Sequence, residues 1–200
     1  MEILHENGYA IDKNVDIVIN SSNGFLLLGK GGSGQIRKNS EKLDFIDELR
    51  FHDLLFKLSD KICRWYERAY NNHGWDLTKA QLSCIKLLVK NGEFKPGSAV
   101  LDGNIIHIIA MSYNINGKKK KIIPATVDSV TDSLREAFKI AKEQKSKSIA
   151  IPVLCSRETY GLNTKESLDI INSVLKDFKF EKVIICYDND VTKKYLVKHS

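Results

Sequence analysis

The stretch Val15-Asp16-Ile17-Val18-Ile19-Asn20 is a short β-branched run, the pattern of a buried strand. It is followed by Ser21-Ser22-Asn23-Gly24, which reads as a polar turn cluster. Next comes Leu26-Leu27-Leu28-Gly29-Lys30-Gly31-Gly32-Ser33-Gly34 and then a helix-compatible Gln35-Ile36-Arg37-Lys38. Between residues 43 and 70 the period changes. Leu54, Leu55, Leu58, Ile62, Trp65, Tyr66 and Ala69 recur at helical spacing, predicting one long helix or two shorter ones. Asn71-Asn72-His73-Gly74 stops that segment. Thr78 is placed to cap a further helix, which carries Ile85, Leu88 and Val89 and ends at Asn91-Gly92.

The second half has a different texture. Ser98–Leu101 and Ile105–Ala110 read as paired strands across Asp102-Gly103-Asn104. Val130, Leu134, Ala137, Phe138 and Ala141 mark an amphipathic helix, and Ser148–Leu154 is a strand leading into the polar loop 155–163. Thr164 is expected to cap a helix with Leu168, Ile171, Val174, Leu175 and Phe178 inward. Lys182–Tyr187 is a final strand, with a short helix after it. Strands alternating with helices predict an α/β fold with a largely parallel sheet covered on both faces. Ligands in such sheets sit beyond the carboxyl ends of the strands.

Composition narrows the class. With 42% hydrophobic and 28% charged residues over 200 positions, the chain is long and apolar enough for one full core. No apolar run approaches the ~20 residues of a spanning helix. The N-terminus has no basic region followed by an apolar stretch, so a soluble cytoplasmic protein with no membrane partner is expected. Cys63, Cys84, Cys155 and Cys186 form no C-x-x-C pair and sit in apolar patterns, as reduced core thiols do. No His/Cys spacing resembles a zinc motif, and neither metal nor cofactor is expected. A net charge of +6 suits an anionic partner, either nucleic acid or a phosphorylated small molecule. Lys118–Lys121 after Asn116-Gly117 reads as a solvated hairpin tip. No aromatic residues interleave with those lysines, as single-strand binding would prefer, so nucleic acid is the weaker reading.

The glycine loop is the first chemical candidate. Gly29, Gly31, Gly32 and Gly34 fall between a strand and a helix, where exposed amides and the helix dipole bind phosphate. No Gly-Lys-Ser/Thr closes the loop and no G-x-G-x-x-G directly follows the strand, which excludes the Walker and dinucleotide motifs. Taken alone, the loop is a phosphate cradle or a flexible turn. Asn20 and Asn23 carry amides suited to ribose hydroxyls, or to tying the turn to itself.

Asp16–Asn23 followed by Leu27-Leu28-Gly29-Lys30-Gly31-Gly32 resembles the macrodomain signature, a strand ending N-A-A-N and then L-x-G-G-G. Ile105–Met111 resembles that family's "VIHTVGP" strand and Ser148–Val153 its "SIAFPAIS" strand. Tyr160-Gly161 resembles the end of its "STGIYG" loop, and Ile185–Asp188 its last strand, across about residues 8–37 and 95–198. The resemblance implies a three-layer α/β/α fold with a mixed, mostly parallel central sheet. The whole chain, 1–200, would be one macrodomain-like domain with a helical insertion at about 40–92, forming a lid or an interaction surface. It also implies a cleft for ADP-ribose, free or on a modified macromolecule. Asn20 and Asn23 would hold the distal ribose. Gly31, Gly32, Ser33 and Gly34 would offer amides to the diphosphate, Ser156, Arg157, Thr159, Tyr160 and Gly161 would wrap its other side, and Tyr187 would stack near the adenine.

The departures bear on activity. The family's Gly-Asp pair, whose Asp reads the adenine amine, is here Gly8-Tyr9, and Tyr9 becomes a candidate to stack on the base. The acid that follows the triple glycine in many hydrolytic members is missing. The second loop is one residue longer and lacks its usual glycine, leaving Arg157 to supply a charged fork or point to solvent. Glu158 is the acid in that loop and, with Asn23, the candidate catalytic residue. His107 is read as a buried structural histidine. Three functions follow: de-ADP-ribosylation, an ADP-ribosyl hydrolase; a non-catalytic module that binds ADP-ribose or a related nucleotide; or nucleic-acid binding through the basic surface with the pocket vestigial.

Overall fold

The β-branched run lies at the centre of a sheet in a computed structural model that describes residues 1–116, 119–155 and 161–187. The strands among these residues are β1 (Glu2–Asn7), β2 (Ile17–Asn23), β3 (Ser98–Asp102), β4 (Ile105–Asn116), β5 (Lys119–Ile123), β6 (Ser148–Pro152) and β7 (Lys182–Tyr187). The helices are α1 (Gly31–Lys38), α2 (Phe45–Leu55), α3 (Asp60–His73), α4 (Lys79–Asn91), α5 (Val127–Glu143) and α6 (Thr164–Leu175), with one 3-10 turn at Ala10–Asp12. The sheet order is β1-β7-β6-β2-β4-β3, and β5 pairs with β4. β1, β7, β6, β2 and β4 run parallel in turn, while β3 and β5 pair antiparallel with β4.

Each face of the sheet buries one layer of helices. On one face, Ile17, Ile19, Ile106, Ile108, Ile149, Ile151, Val183 and Ile185 pack against α5 and α6. Val130, Leu134, Ala137, Phe138 and Ala141, the predicted stripe of α5, are all fully buried. Phe138 meets Phe178 and Phe180 edge-on at 5.3 and 5.4 Å. On the other face, Ile109 and the loop Phe25–Leu28 share a core with α1 to α4, including Phe51, Leu55, Tyr66, Leu82, Ile85 and Leu88. The result is a three-layer α/β/α fold with a mixed, mostly parallel sheet.

Of the two readings of segment 43–70, the pair of shorter helices is the one formed, as α2 and α3, and α3 closes on Gly74 at φ 57°. Other local expectations change. Ser21 and Ser22 continue β2 rather than turning, because both pair with β4, opposite Ile108 and Ile109. Thr164 is the first residue of α6, and Asn163 caps it instead: its side chain accepts from the Glu166 N–H at 2.9 Å, and Glu166 returns the bond to the Asn163 N–H. Thr78 does precede α4, with its N–H bonded to the Gln81 side chain at 2.9 Å. β1 has no counterpart in the sequence reading, and the helix expected after β7 lies outside the described residues. The β4–β5 hairpin is present, although its tip residues 117–118 lie outside the described set. No helix of the described residues is long and apolar enough to cross a membrane.

Asp16 joins the starts of two central strands. Its Oδ2 accepts from the Lys147 and Ser148 N–H groups at 2.8 and 2.9 Å, and its own N–H donates to Ser148 Oγ at 2.9 Å. This clasp sets β6 beside β2, so that their carboxyl ends open at the same level.

Candidate functional site

The carboxyl ends of β2, β6 and β7, and the turn that follows β1, surround one cleft. β2 and β6 are neighbours, and the chain leaves their carboxyl ends toward opposite layers, to α1 and to α6. That is where an open α/β sheet leaves a crevice for ligand.

One wall is built from β2 and the start of α1. Asn23 Oδ1 accepts from the Phe25 N–H at 3.0 Å, and its Nδ2 donates to the Leu27 carbonyl at 3.4 Å, so this amide folds the loop on itself. Gly24 lies so close to the Phe94 carbonyl that a Cβ there would collide with it. Tyr66 donates its hydroxyl to the Phe25 carbonyl at 2.8 Å, anchoring the loop to α3. Leu26, at φ 50°, turns the chain in a left-handed conformation unusual for leucine.

The loop delivers the glycines as the first turn of α1. Lys30 occupies the cap position and makes no side-chain capping bond, and Gly31 starts the helix at φ +63°. The leading amides of a helix have no intrahelical partner. Nothing lies within 4 Å of where a Cβ would stand on Gly31 or Gly32, so a ligand has room to approach the backbone of this turn. Gly34 differs: it is buried, and a Cβ would stand 2.8 Å from the Gly29 carbonyl, so its role is close packing of helix on loop.

Asn20 is 3% exposed and bonded at both ends of its amide. His107 Nδ1 lies 2.9 Å from one end and Ser33 Oγ 3.0 Å from the other. Ser33 Oγ also lies 2.9 Å from the Ser21 carbonyl. Beyond the histidine, Nε2 faces Asp102 Oδ2 at 3.7 Å, and Asp102 Oδ1 accepts from Ser83 Oγ at 2.5 Å. Burial pushes the Asp102 carboxyl up, but the adjacent His107 ring and Ser83 hydroxyl more than offset this, and it stays below the usual carboxylate range. A row of polar groups therefore runs across neighbouring strands from α4 to the cleft wall.

Tyr9, Asn20, Asn23, Gly31, Gly32, Ser33 and Tyr187 all line this cleft. Gly8 donates its N–H to the Tyr187 carbonyl at 2.9 Å, which holds Tyr9 beside the end of β7. Gly161 is not among the lining residues; at φ +111° it packs on the Ala125 backbone. Ser156, Arg157, Glu158, Thr159 and Tyr160 lie outside the described residues.

Other lining residues have no signal in the sequence reading. Ser22 Oγ is buried without a hydrogen-bond partner, and Ser21 Oγ lies 3.4 Å from Cys155 Sγ. Cys155 sits at φ 50°, and burial holds its thiol above the usual range despite the Ser21 contact. The polar run Asn20-Ser21-Ser22-Asn23 reads as a turn until its pairing with β4 is known. Among the described lining residues there is no carboxylate, and Lys30 carries the charge.

No protein-family model and no curated protein matches this sequence. Solved structures do match its fold. The macrodomain of Mycobacterium tuberculosis DarG superposes with a TM-score of 0.58 at 14% identity, over 94% of this chain and 98% of that one. A Trypanosoma brucei macrodomain in complex with ADP-ribose gives 0.62 at 13% identity, over 99% and 68%. An Oceanobacillus iheyensis macrodomain with ADP gives 0.55 at 17% identity, over 98% and 93%. At these identities the likeness is one of architecture, and it agrees with the strand order and layering described above: the chain has the macrodomain fold.

Proposed function

We propose that the cleft binds ADP-ribose or a closely related ADP-containing nucleotide. The observation that carries this is the first turn of α1, which lines the cleft with Gly31 and Gly32, each with open space where a side chain would stand. Orphan amides and the positive end of a helix favour a phosphate, and glycine lets the diphosphate approach the backbone closely. Lys30 beside them and the lack of a lining carboxylate among the described residues suit a dianionic ligand. Two of the similar folds carry ADP-ribose or ADP.

Within this reading, Tyr9 and Tyr187 flank the adenine, and the carboxylate recognition of its amine is replaced by ring contact. The amides of Asn20 and Asn23 are held by their own neighbours, so they shape the cleft more than they reach into it. Hydrolysis is the activity such a cleft supports by position. The bent diphosphate would hold the anomeric carbon for attack by an ordered water as that carbon's bond to the modified group breaks; the leaving group would take its proton from solvent, and the α1 amides would meet the developing charge. Glu158 is the acid proposed to accept the water's proton. A module that only binds needs the same amides and no acid, as in the described lining.

Titration calorimetry against ADP-ribose, ADP, NAD and a short RNA tests the proposal. ADP-ribose should bind with heat and a thermal shift that survive moderate salt, whereas binding driven by a nucleic-acid backbone falls steeply with salt. Neither heat nor shift at millimolar ADP-ribose would refute it. Release of ADP-ribose from a modified protein, lost in Glu158→Gln, separates the hydrolase from the module.

A further inference from the structure

Three donors of different chemistry meet behind the cleft. Cys84 on α4, Asp102 at the end of β3 and His107 on β4 each place one ligand-capable atom within 4.8 Å of the others. Cys84 and His107 are each 1% exposed, and the Asp102 side chain is 19% exposed at the rim. His107 Nε2 is fully buried and has no hydrogen-bond partner. Its 3.7 Å separation from Asp102 Oδ2 is too long for a hydrogen bond. It does suit two ligands of one tetrahedral ion: metal bonds of about 2.0–2.3 Å place ligand atoms about 3.3–3.8 Å apart.

The other side of the ring decides what Nε2 is. If Asn20 Nδ2 points at His107 Nδ1, then Nε2 carries a proton with no acceptor in range. The single Ser33 proton is then claimed by both Asn20 Oδ1 and the Ser21 carbonyl. Turning the Asn20 amide over, which leaves the shape of the side chain unchanged, removes both conflicts. His107 Nδ1 then donates to Asn20 Oδ1, Asn20 Nδ2 donates to Ser33 Oγ, and Ser33 donates to the Ser21 carbonyl. In this arrangement Nε2 is a buried bare lone pair sharing its surroundings with a carboxylate and a cysteine, a donor set suited to a cation.

We propose that Cys84 Sγ, Asp102 and His107 Nε2 bind a zinc ion, with water at the fourth position. A thiolate and a carboxylate neutralise a divalent charge, and the mixed S, N and O donors suit zinc. Burial and the Asp102 charge hold the Cys84 thiol up, so binding releases its proton to solvent. The ligands come from three elements, which is why no zinc spacing is visible along the chain. The ion would fix the Nδ1–H form of His107, and through it the orientation of the Asn20 amide in the cleft wall. This inference does not depend on the nucleotide proposal.

The test uses the full chain, stripped with a chelator and titrated with Co2+ and then Zn2+. About one equivalent of Co2+ should give a thiolate-to-cobalt charge-transfer band, which zinc displaces, with about one proton released. Cys84→Ala should abolish the band, whereas Cys63→Ala should retain it. His107→Gln should also abolish it; the Cys84 variant leaves the Asn20 hydrogen bonds intact and so covers a His107 variant that fails to fold. No band in the folded wild-type protein, or a band that persists in Cys84→Ala, overturns the proposal.

Discussion

The Arg37 guanidinium lies 4.3 Å from the centroid of the Trp75 ring, while its Nε donates to the Leu28 carbonyl at 3.1 Å. The indole also stacks on His73 at 4.8 Å and stands beside Gly29. One tryptophan between α3 and α4 thus braces both α1 and the loop that leads into it. Trp75→Ala should cost about 1–3 kcal/mol, combining a lost cation–π contact with a half-buried aromatic. A urea titration reads this as a lower midpoint at unchanged slope.

Gly32 and Gly34 should respond in opposite ways. Gly32→Glu has room for its side chain, so the protein should fold and melt near the wild-type temperature, yet ADP-ribose heat should vanish because a carboxylate enters the phosphate position. Unchanged affinity in that folded variant removes α1 from the site. Gly34→Ala drives a methyl into the Gly29 carbonyl and should lower the melting temperature first.

Gly161→Ala should destabilise by about 1–3 kcal/mol. Its φ of +111° is strained for any L side chain, and the added Cβ would collide with the Ala125 carbonyl. Thermal melts that match the wild type would show that this turn relaxes freely.

Acid should weaken the Asp16 clasp. Backbone N–H groups of Ser148 and Lys147 hold this carboxyl below its ordinary range of about 4. A depressed folded value means the group contributes stability above its unfolded value and loses it as pH falls through the folded one. Asp16→Asn should therefore show a shallower fall in melting temperature below pH about 4. An identical acid slope in both proteins assigns the loss to other carboxyls.

The sequence pattern exposed the strands and helices whose apolar residues face a core. β2, α5 and β7 fall where periodicity puts them, since tertiary burial and local pattern agree there. β1 escaped because Glu-Ile-Leu-His-Glu-Asn is an edge strand with little burial, and its charges suit an exposed edge. Ser21-Ser22 looked like a turn because propensity favours it; sheet pairing overrode propensity. The glycine cradle was legible as chemistry, but its place inside α1 was not, because four glycines carry no helical periodicity. The link from Ser33 through Asn20 to His107 and Asp102 joins β2 and α1 to the β3–β4 hairpin, two stretches far apart in sequence, which no local window contains.

The pairing of β1 with β7 has a consequence for the order of assembly. Glu2–Asn7 finds its partner in Lys182–Tyr187, across nearly the full length of the chain. Contacts of such long sequence separation form late and slowly. During synthesis, β1 must wait for this partner until β7 has emerged. Tyr9, held through Gly8 to Tyr187, reaches the cleft only at that moment. The Tyr9–Tyr187 side of the pocket is thus completed only once β1 and β7 have paired, and its appearance during refolding would report that long-range step.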